Sequence, residues 1–205
     1  MDDKPNKLNL NATEITSLEG VGQARGLSHL NLQNNDFQGS TIPNKLYNIF
    51  GLETLLLSGS KLSGSIARQV GYLTSLRSLQ ISHNQITGSV PSEIGRLQKL
   101  KILDLSENDI TGTLPSALNK LTNLVEFHMS CFTRSEGCIS GTLLRFSELS
   151  SLKVINLGGN NIAGSIPYDF LQSSSRAQNE IRVTLTSNKL TGTIPSSLST
   201  FVSDC

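Results

Sequence analysis

Asp104, Ser106, His128 and Ser130 are the residues of this 205-residue chain whose types could do hydrolytic chemistry. A serine nucleophile needs an imidazole within reach, a carboxylate to orient that ring, and an oxyanion site closed to water. A second grouping overlaps the first. Asp104, Glu107 and Glu126 together with His128 make an acidic patch carrying one titratable ring, suited to a basic ligand and pH-sensitive through His128. Cys131 and Cys138 bracket the polar stretch FTRSEG, which could close as a local disulfide; two reduced thiols are the alternative. A metal site is not expected, because two cysteines and one distant histidine give too few ligands. Neither phosphate-binding pattern, G-x-x-x-x-G-K-[ST] or G-x-G-x-x-G, occurs, and no cofactor is expected.

The elements that hold these residues repeat. From Leu76 the chain reads LRSLQISHNQITGSVPSEIGRLQK, and from Leu100 it reads LKILDLSENDITGTLPSALNKLTN, two phrases of 24 residues in phase. A fixed period of this size marks a solenoid, in which each unit touches only its neighbours. Alternating leucines such as Leu103 and Leu105 predict a short strand with one buried face. Asparagine follows at a core-facing position (Asn35, Asn84, Asn108, Asn160, Asn188), where a buried amide must find backbone partners, so a ladder of asparagines is expected. Ser60 replaces one of them. Glycine then suits a positive φ at Gly88, Gly112, Gly164 and Gly192. Proline at Pro91, Pro115, Pro167 and Pro195 suits the start of a short helical turn. Ile94 and Leu97 are expected to pack inward from the outer side of the coil.

Stacking the strands in register puts the non-core positions into columns on the concave face. The central column is Asn31, Leu56, Gln80, Asp104, His128, Asn156 and Thr184. A flank reads His29, Thr54, Ser78, Ile102, Glu126, Val154 and Arg182. Leu56, Gln80, Ile102, Asp104, Glu107, Glu126, His128, Asn156 and Arg182 are therefore the candidate ligand-binding residues, with Leu56 and Ile102 as apolar anchors. Asp104 and His128 occupy equivalent positions on neighbouring strands, about 5 Å apart, and are expected to pair. Small residues along the Gln33, Ser58, Ser82, Ser106, Ser130, Gly158, Thr186 column are expected to leave backbone accessible. Serine recurs there as part of the repeat, and an open sheet gives no water-excluding pocket, so catalysis is not expected.

The phrase L-x-x-L-x-L-x-x-N with L-T-G-x-I-P resembles the leucine-rich repeat family. Its plant-specific subclass is common in receptor kinase and receptor-like ectodomains and in polygalacturonase-inhibiting proteins. The resemblance covers roughly residues 8–200. It implies an α/β class and a right-handed solenoid, with a parallel concave β-sheet and short helical or irregular turns on the convex side. A short second strand is expected near the T-G-x-I-P phrase. The chain reads as a single domain over 1–205: a degenerate N-terminal unit at 1–26, about seven repeats at 27–200, and a C-terminal end at 201–205. The implied function is a non-catalytic protein-recognition module that binds a protein or peptide ligand on its concave face, receptor-like or hydrolase-inhibitor-like.

The fifth unit is lengthened around Cys131–Cys138, and the sixth carries QSSSRAQNE at 172–180; insertions in solenoids map to loops, often near a binding face. Cys205 has no obvious mate, and the N-terminal cysteine pair common in the subclass is absent, so the chain is expected to continue or to bond elsewhere. Asn11-Ala12-Thr13 is a glycosylation sequon. The family resemblance and the cysteine pair favour an extracellular or cell-surface location over a cytoplasmic scaffold. The balance of 17 basic against 16 acidic residues, with no Trp, speaks against a nucleic-acid partner. No apolar run is long enough for membrane insertion. A different class of function rests on the hydroxyl column Thr41, Ser65, Ser89, Thr113, Thr142, Ser165 and Thr193, which could adsorb to ice or to a crystalline polysaccharide, since some plant-type repeat proteins bind ice.

Overall fold

Each leucine-alternating segment forms a strand of three to five residues that turns an apolar side chain into the core, as Leu30 does in Leu27–Asn31 and Leu103 in Ile102–Asp104. The computed structural model of the chain describes residues 6–132, 138–171, 181–196 and 198. In chain order the strands are β1 (Asn6–Asn9), β2 (Leu27–Asn31), β3 (Thr54–Leu56), β4 (Ser78–Gln80), β5 (Ile102–Asp104), β6 (Glu126–His128), β7 (Ser140–Gly141), β8 (Val154–Asn156), β9 (Asn161–Ser165), β10 (Arg182–Thr184) and β11 (Lys189–Thr191). Eight of them make one parallel sheet in the order β1-β2-β3-β4-β5-β6-β8-β10. Leu30, Leu55, Leu79, Leu103, Phe127 and Ile155 line its inner side and are at most 2% exposed. Each unit adds one strand to the stack, which is why sequence neighbours are also sheet neighbours.

The expected second ladder is present near the T-G-x-I-P phrase. β7, β9 and β11 pair in parallel, and single bridges at Thr41–Ser63, Ser65–Thr87 and Thr113–Ser140 continue the ladder toward the N-terminus. The glycines that follow take the left-handed conformation, as Gly112 does at φ 85°. On the convex side the turns are short 3-10 helices. Pro43, Pro91 and Pro115 immediately precede those at Asn44–Asn48, Ser92–Arg96 and Ser116–Lys120, where their missing N–H costs nothing. Ala67 stands in that place before Arg68–Tyr72. These turns stack closely: a Cβ on Gly95 would lie 2.6 Å from the Ala117 carbonyl oxygen.

Between sheet and turns runs the asparagine ladder. The Asn84 amide donates to the carbonyls of Leu57 and Ile81 at 2.9 Å and Ser82 at 3.2 Å, while its oxygen accepts from the N–H groups of Ser60 and Leu62. Asn108, Asn160 and Asn188 repeat this pattern. Ser60 keeps a donor bond to the Leu32 carbonyl at 2.9 Å, and the Phe37 N–H bonds to the Ser60 carbonyl. Thr13 ends the ladder, its hydroxyl 3.1 Å from the Leu10 carbonyl and 2.9 Å from the Asn35 oxygen.

The fifth unit breaks the series. Residue 132, 24 after Asn108, is Phe rather than Asn. A disulfide joins Cys131 to Cys138 there, with Cα atoms 6.0 Å apart. Beneath it the core becomes aromatic: the rings of Phe127, Phe146 and Phe170 meet edge to face at 6.1 and 6.0 Å. Residues 133–137 of the FTRSEG stretch, the QSSSRAQNE segment and Cys205 lie outside the described residues.

Candidate functional site

The strand register assembles the central column as the spacing predicts. Asn31 pairs with Leu56, Leu56 with Gln80, Gln80 with Asp104, Asp104 with His128, His128 with Asn156, and Asn156 with Thr184. Ile102 is beside Glu126, and Arg182 lies beyond Val154 on the outermost strand. Leu56, Gln80, Ile102, Asp104, Glu126, His128 and Asn156 are half-buried and Arg182 is exposed. This is how side chains lie on a concave sheet, with their roots packed and their ends facing solvent.

Within the column the polar bonding differs from the expected pair. His128 Nε2 sits 3.3 Å from Glu126 Oε2, two residues back on its own strand, and not against Asp104. The Asp104 carboxylate instead accepts the Ser106 N–H at 3.1 Å. Ser130 donates its hydroxyl to Glu107 at 3.0 Å, so neither serine nor Asp104 is assembled with His128 as a hydrolytic triad. Asp104 and Glu107 make no ion pair among the described residues, leaving two carboxylates bonded only to neutral groups.

The serine column is also more closed than expected. Ser82, Ser106 and Ser130 are between 5% and 8% exposed; the Ser82 hydroxyl donates to the Ser58 hydroxyl at 3.0 Å, and the Ser106 hydroxyl accepts the Ser130 N–H at 3.2 Å. Beyond them the chain turns. Asn34, Gly59, His83, Glu107, Gly159 and Ser187 all have positive φ, the left-handed bend that carries each strand into its ladder asparagine. Glycine at two of those positions is the sequence signal for that bend.

Phe132 is the residue that column reasoning misses. It is 58% exposed at the edge of the concave face, and its N–H donates to both oxygens of Glu107 at 3.3 Å. Its ring lies over the next unit: a Cβ on Gly158 would come 2.9 Å from Cζ, and one on Gly159 would come 2.8 Å from Cδ1. The signal was an aromatic at a ladder position, followed one unit later by a Gly-Gly pair. Asn11 is exposed, and the Asn34 amide donates to its side-chain oxygen at 3.1 Å. All seven hydroxyls of the Thr41-to-Thr193 column are exposed along the second ladder. Among the described residues no group of three or more His, Cys, Asp or Glu could hold a metal, and no helix is long and apolar enough to cross a membrane.

With this geometry in hand, comparison with known proteins places the architecture. A family profile for a leucine-rich repeat region matches residues 61–163, about half of the chain. No curated protein sequence matches. The fold resembles a plant peptide hormone receptor, RGFR1, solved in complex with RGF2: TM-score 0.85, 30% identity, over 96% of this chain and 30% of that one. The Arabidopsis receptor kinase HAESA, solved with the peptide hormone IDA and the co-receptor SERK1, matches with TM-score 0.85 and 31% identity, over 94% of this chain and 31% of that one. A Leptospira interrogans leucine-rich repeat protein matches with TM-score 0.71 and 26% identity, over 96% of this chain and 52% of that one. The chain thus spans about a third of the length of the two plant receptors. The repeat phrase, the stacked parallel strands and the profile match agree, and the chain belongs to the leucine-rich repeat family, with an architecture like that of plant receptor ectodomains.

Proposed function

We propose that the chain is a non-catalytic recognition module that binds a basic protein or peptide across the middle of its concave sheet, outside the cell. One observation carries this reading. The register of β5 on β6 sets Asp104 beside His128 and Ile102 beside Glu126, Glu107 follows β5 and bonds Ser130 just past β6, and among the described residues none of the three carboxylates has a Lys or Arg partner. A cationic ligand supplies the charge this patch lacks, and complementarity of this kind sets specificity and on-rate. The sheet is pre-organised by core packing and by the asparagine ladder, so binding orders little backbone. Leu56 and Ile102 supply apolar area beside the carboxylates, with Gln80 and Asn156 as polar neighbours and Arg182 toward the C-terminal edge. The peptide complexes of the two plant receptors support a peptide as the ligand class.

The Cys131–Cys138 disulfide supports a location where thiols are oxidised, as does an exposed sequon at Asn11. The rival is a cytosolic scaffold, and the intact mass of the natural protein separates the two: free thiols and a bare Asn11 remove the extracellular reading. The binding reading is tested by selecting a random peptide library on the immobilised chain and on Asp104→Asn/Glu126→Gln. Lys- and Arg-rich sequences should be enriched on the first, with affinity falling about tenfold on the second. Neutral or acidic winners, or equal enrichment on both, would remove the acidic patch as the binding site.

A further inference from the structure

Phe132 is an exposed aromatic that the fold holds in place from three sides. Its own backbone is tied to Cys131, which is buried and disulfide-bonded to Cys138. Its N–H is held by both oxygens of Glu107, from the preceding unit. Its ring rests on Gly158 and Gly159, from the following unit, and any side chain at either glycine would displace it. No core requirement explains this. The core beneath is filled by Phe127, Phe146 and Phe170, each at most 1% exposed, while Phe132 keeps 58% of its surface in solvent. A rigid aromatic loses little entropy when a partner covers it, which is the property of residues that dominate interfaces.

The carboxylate of Glu107 adjoins this ring through the same peptide N–H. Ser130 and the Phe132 N–H occupy part of its accepting capacity, and a carboxylate has about four lone-pair sites, so acceptor positions remain for an incoming donor. A flat π face next to an anionic acceptor suits one common group above others. A guanidinium stacks on the ring and donates in its own plane to the carboxylate, whereas a lysine ammonium is a compact, strongly hydrated charge that gains less from an aromatic face. We infer that Phe132 and Glu107 form a subsite for an arginine side chain of the peptide or protein ligand. This rests on the concave-face reading above and refines it: the ligand is arginine-bearing, and its arginine sits at the edge of the face beside the disulfide.

The test uses the full disulfide-bonded chain and two probes, acetylated tetra-arginine and tetra-lysine peptides. Affinities come from calorimetry, and the site from amide shifts of the labelled protein. Tetra-arginine is expected to bind about threefold or more tighter than tetra-lysine and to move the amides of Phe132, Gly158 and Gly159. Phe132→Ala should erase the preference with an unchanged melting temperature, and Phe132→Tyr should keep it. Glu107→Gln should weaken both peptides. A preference that survives in Phe132→Ala overturns the inference. So do shifts confined to Asp104, Glu126 and His128, an outcome that would leave the concave-face proposal standing. If neither set of amides moves, both readings fall.

Discussion

The regular units between Leu52 and Leu124 and the interrupted unit that follows solve the same problem by different means. In the regular units a buried polar side chain joins each turn to the next: the Ser60 hydroxyl in the first, and an asparagine amide after it, as Asn84 joins the turns of Leu57 and Ile81. In the interrupted unit the asparagine position holds Phe132, and a disulfide closes the strand end instead. The core changes as well, from stacked aliphatics such as Leu79, Leu103 and Ile94 to the Phe127–Phe146–Phe170 edge-to-face row. A ladder of amides requires every turn to have the same shape. A covalent clip with bulky aromatics tolerates one turn of another shape. Regularity therefore belongs to the scaffold, and the place where it fails is where a surface group without a structural duty can be put.

The largest effect that tests this contrast is Asn84→Ala. It removes three donor bonds and leaves the N–H groups of Ser60 and Leu62 buried without an acceptor. Each orphaned buried group costs about 1–3 kcal/mol, so a loss of about 4 kcal/mol is expected in urea unfolding. Asn84→Asp, which keeps an acceptor but not the donors, should be nearly as damaging. A loss under about 1 kcal/mol would mean that apolar burial, and not the ladder, fastens the turns.

Much of this was legible in the sequence because a solenoid turns period into position. The columns on the sheet, the ladder partners of Asn108 and Asn160, the proline before three of the 3-10 turns and the second ladder all follow from phase. Side-chain partners do not. His128 has Asp104 across the strand gap and Glu126 two residues away on the same face, both within reach of a flexible side chain; the structure takes Glu126. The burial of Ser82, Ser106 and Ser130 depends on how tightly the chain bends at the left-handed residues that follow, and serine itself carries no signal of that bend. Phe132 is hidden for a different reason. The period assigns position 132 to a core-facing asparagine, so an exposed aromatic there is visible only once the unit is known to be broken.

Just before those regular units a buried phenol lacks such provision. Tyr47 occupies the position that glycine holds in the next two turns, at Gly71 and Gly95. It is 1% exposed, and its hydroxyl lies near the Ala67 backbone without a hydrogen bond of normal geometry. Burial pushes its pKa up to about 12, with the Ala67 backbone opposing. The folded state thus holds the phenol proton more tightly than the unfolded state, whose value is about 10. The stability this gives is fully present below pH 10 and is lost as pH rises toward 12, by about 3 kcal/mol. Lysines titrate in the same range, so the quantity to read is the difference between the wild type and Tyr47→Phe. The variant should lack that part of the decline and match or exceed the wild type at neutral pH, because it removes a buried hydroxyl that is poorly paired. Parallel curves for the two proteins would show that the ring edge reaches solvent.

The disulfide is expected to contribute less than either, and its effect should be local. Its two cysteines are seven residues apart, and closing so short a loop restricts the unfolded chain by only about 2 kcal/mol. Cys131→Ala/Cys138→Ala should therefore leave the protein folded. What it should change is the distribution of stability along the stack. In a repeat array each turn is held by its neighbours, so a weakened unit lets the array open in two parts. Hydrogen exchange at the amides of Phe127, Met129 and Ile155 should speed up in the double variant, while that at Leu79 and Leu103 stays as in the wild type. Faster exchange spread evenly from Leu30 to Ile155 would instead mean that the stack opens as one cooperative body. The contrast between ladder and clip would then be one of geometry alone, because the two halves would share a single free energy of unfolding.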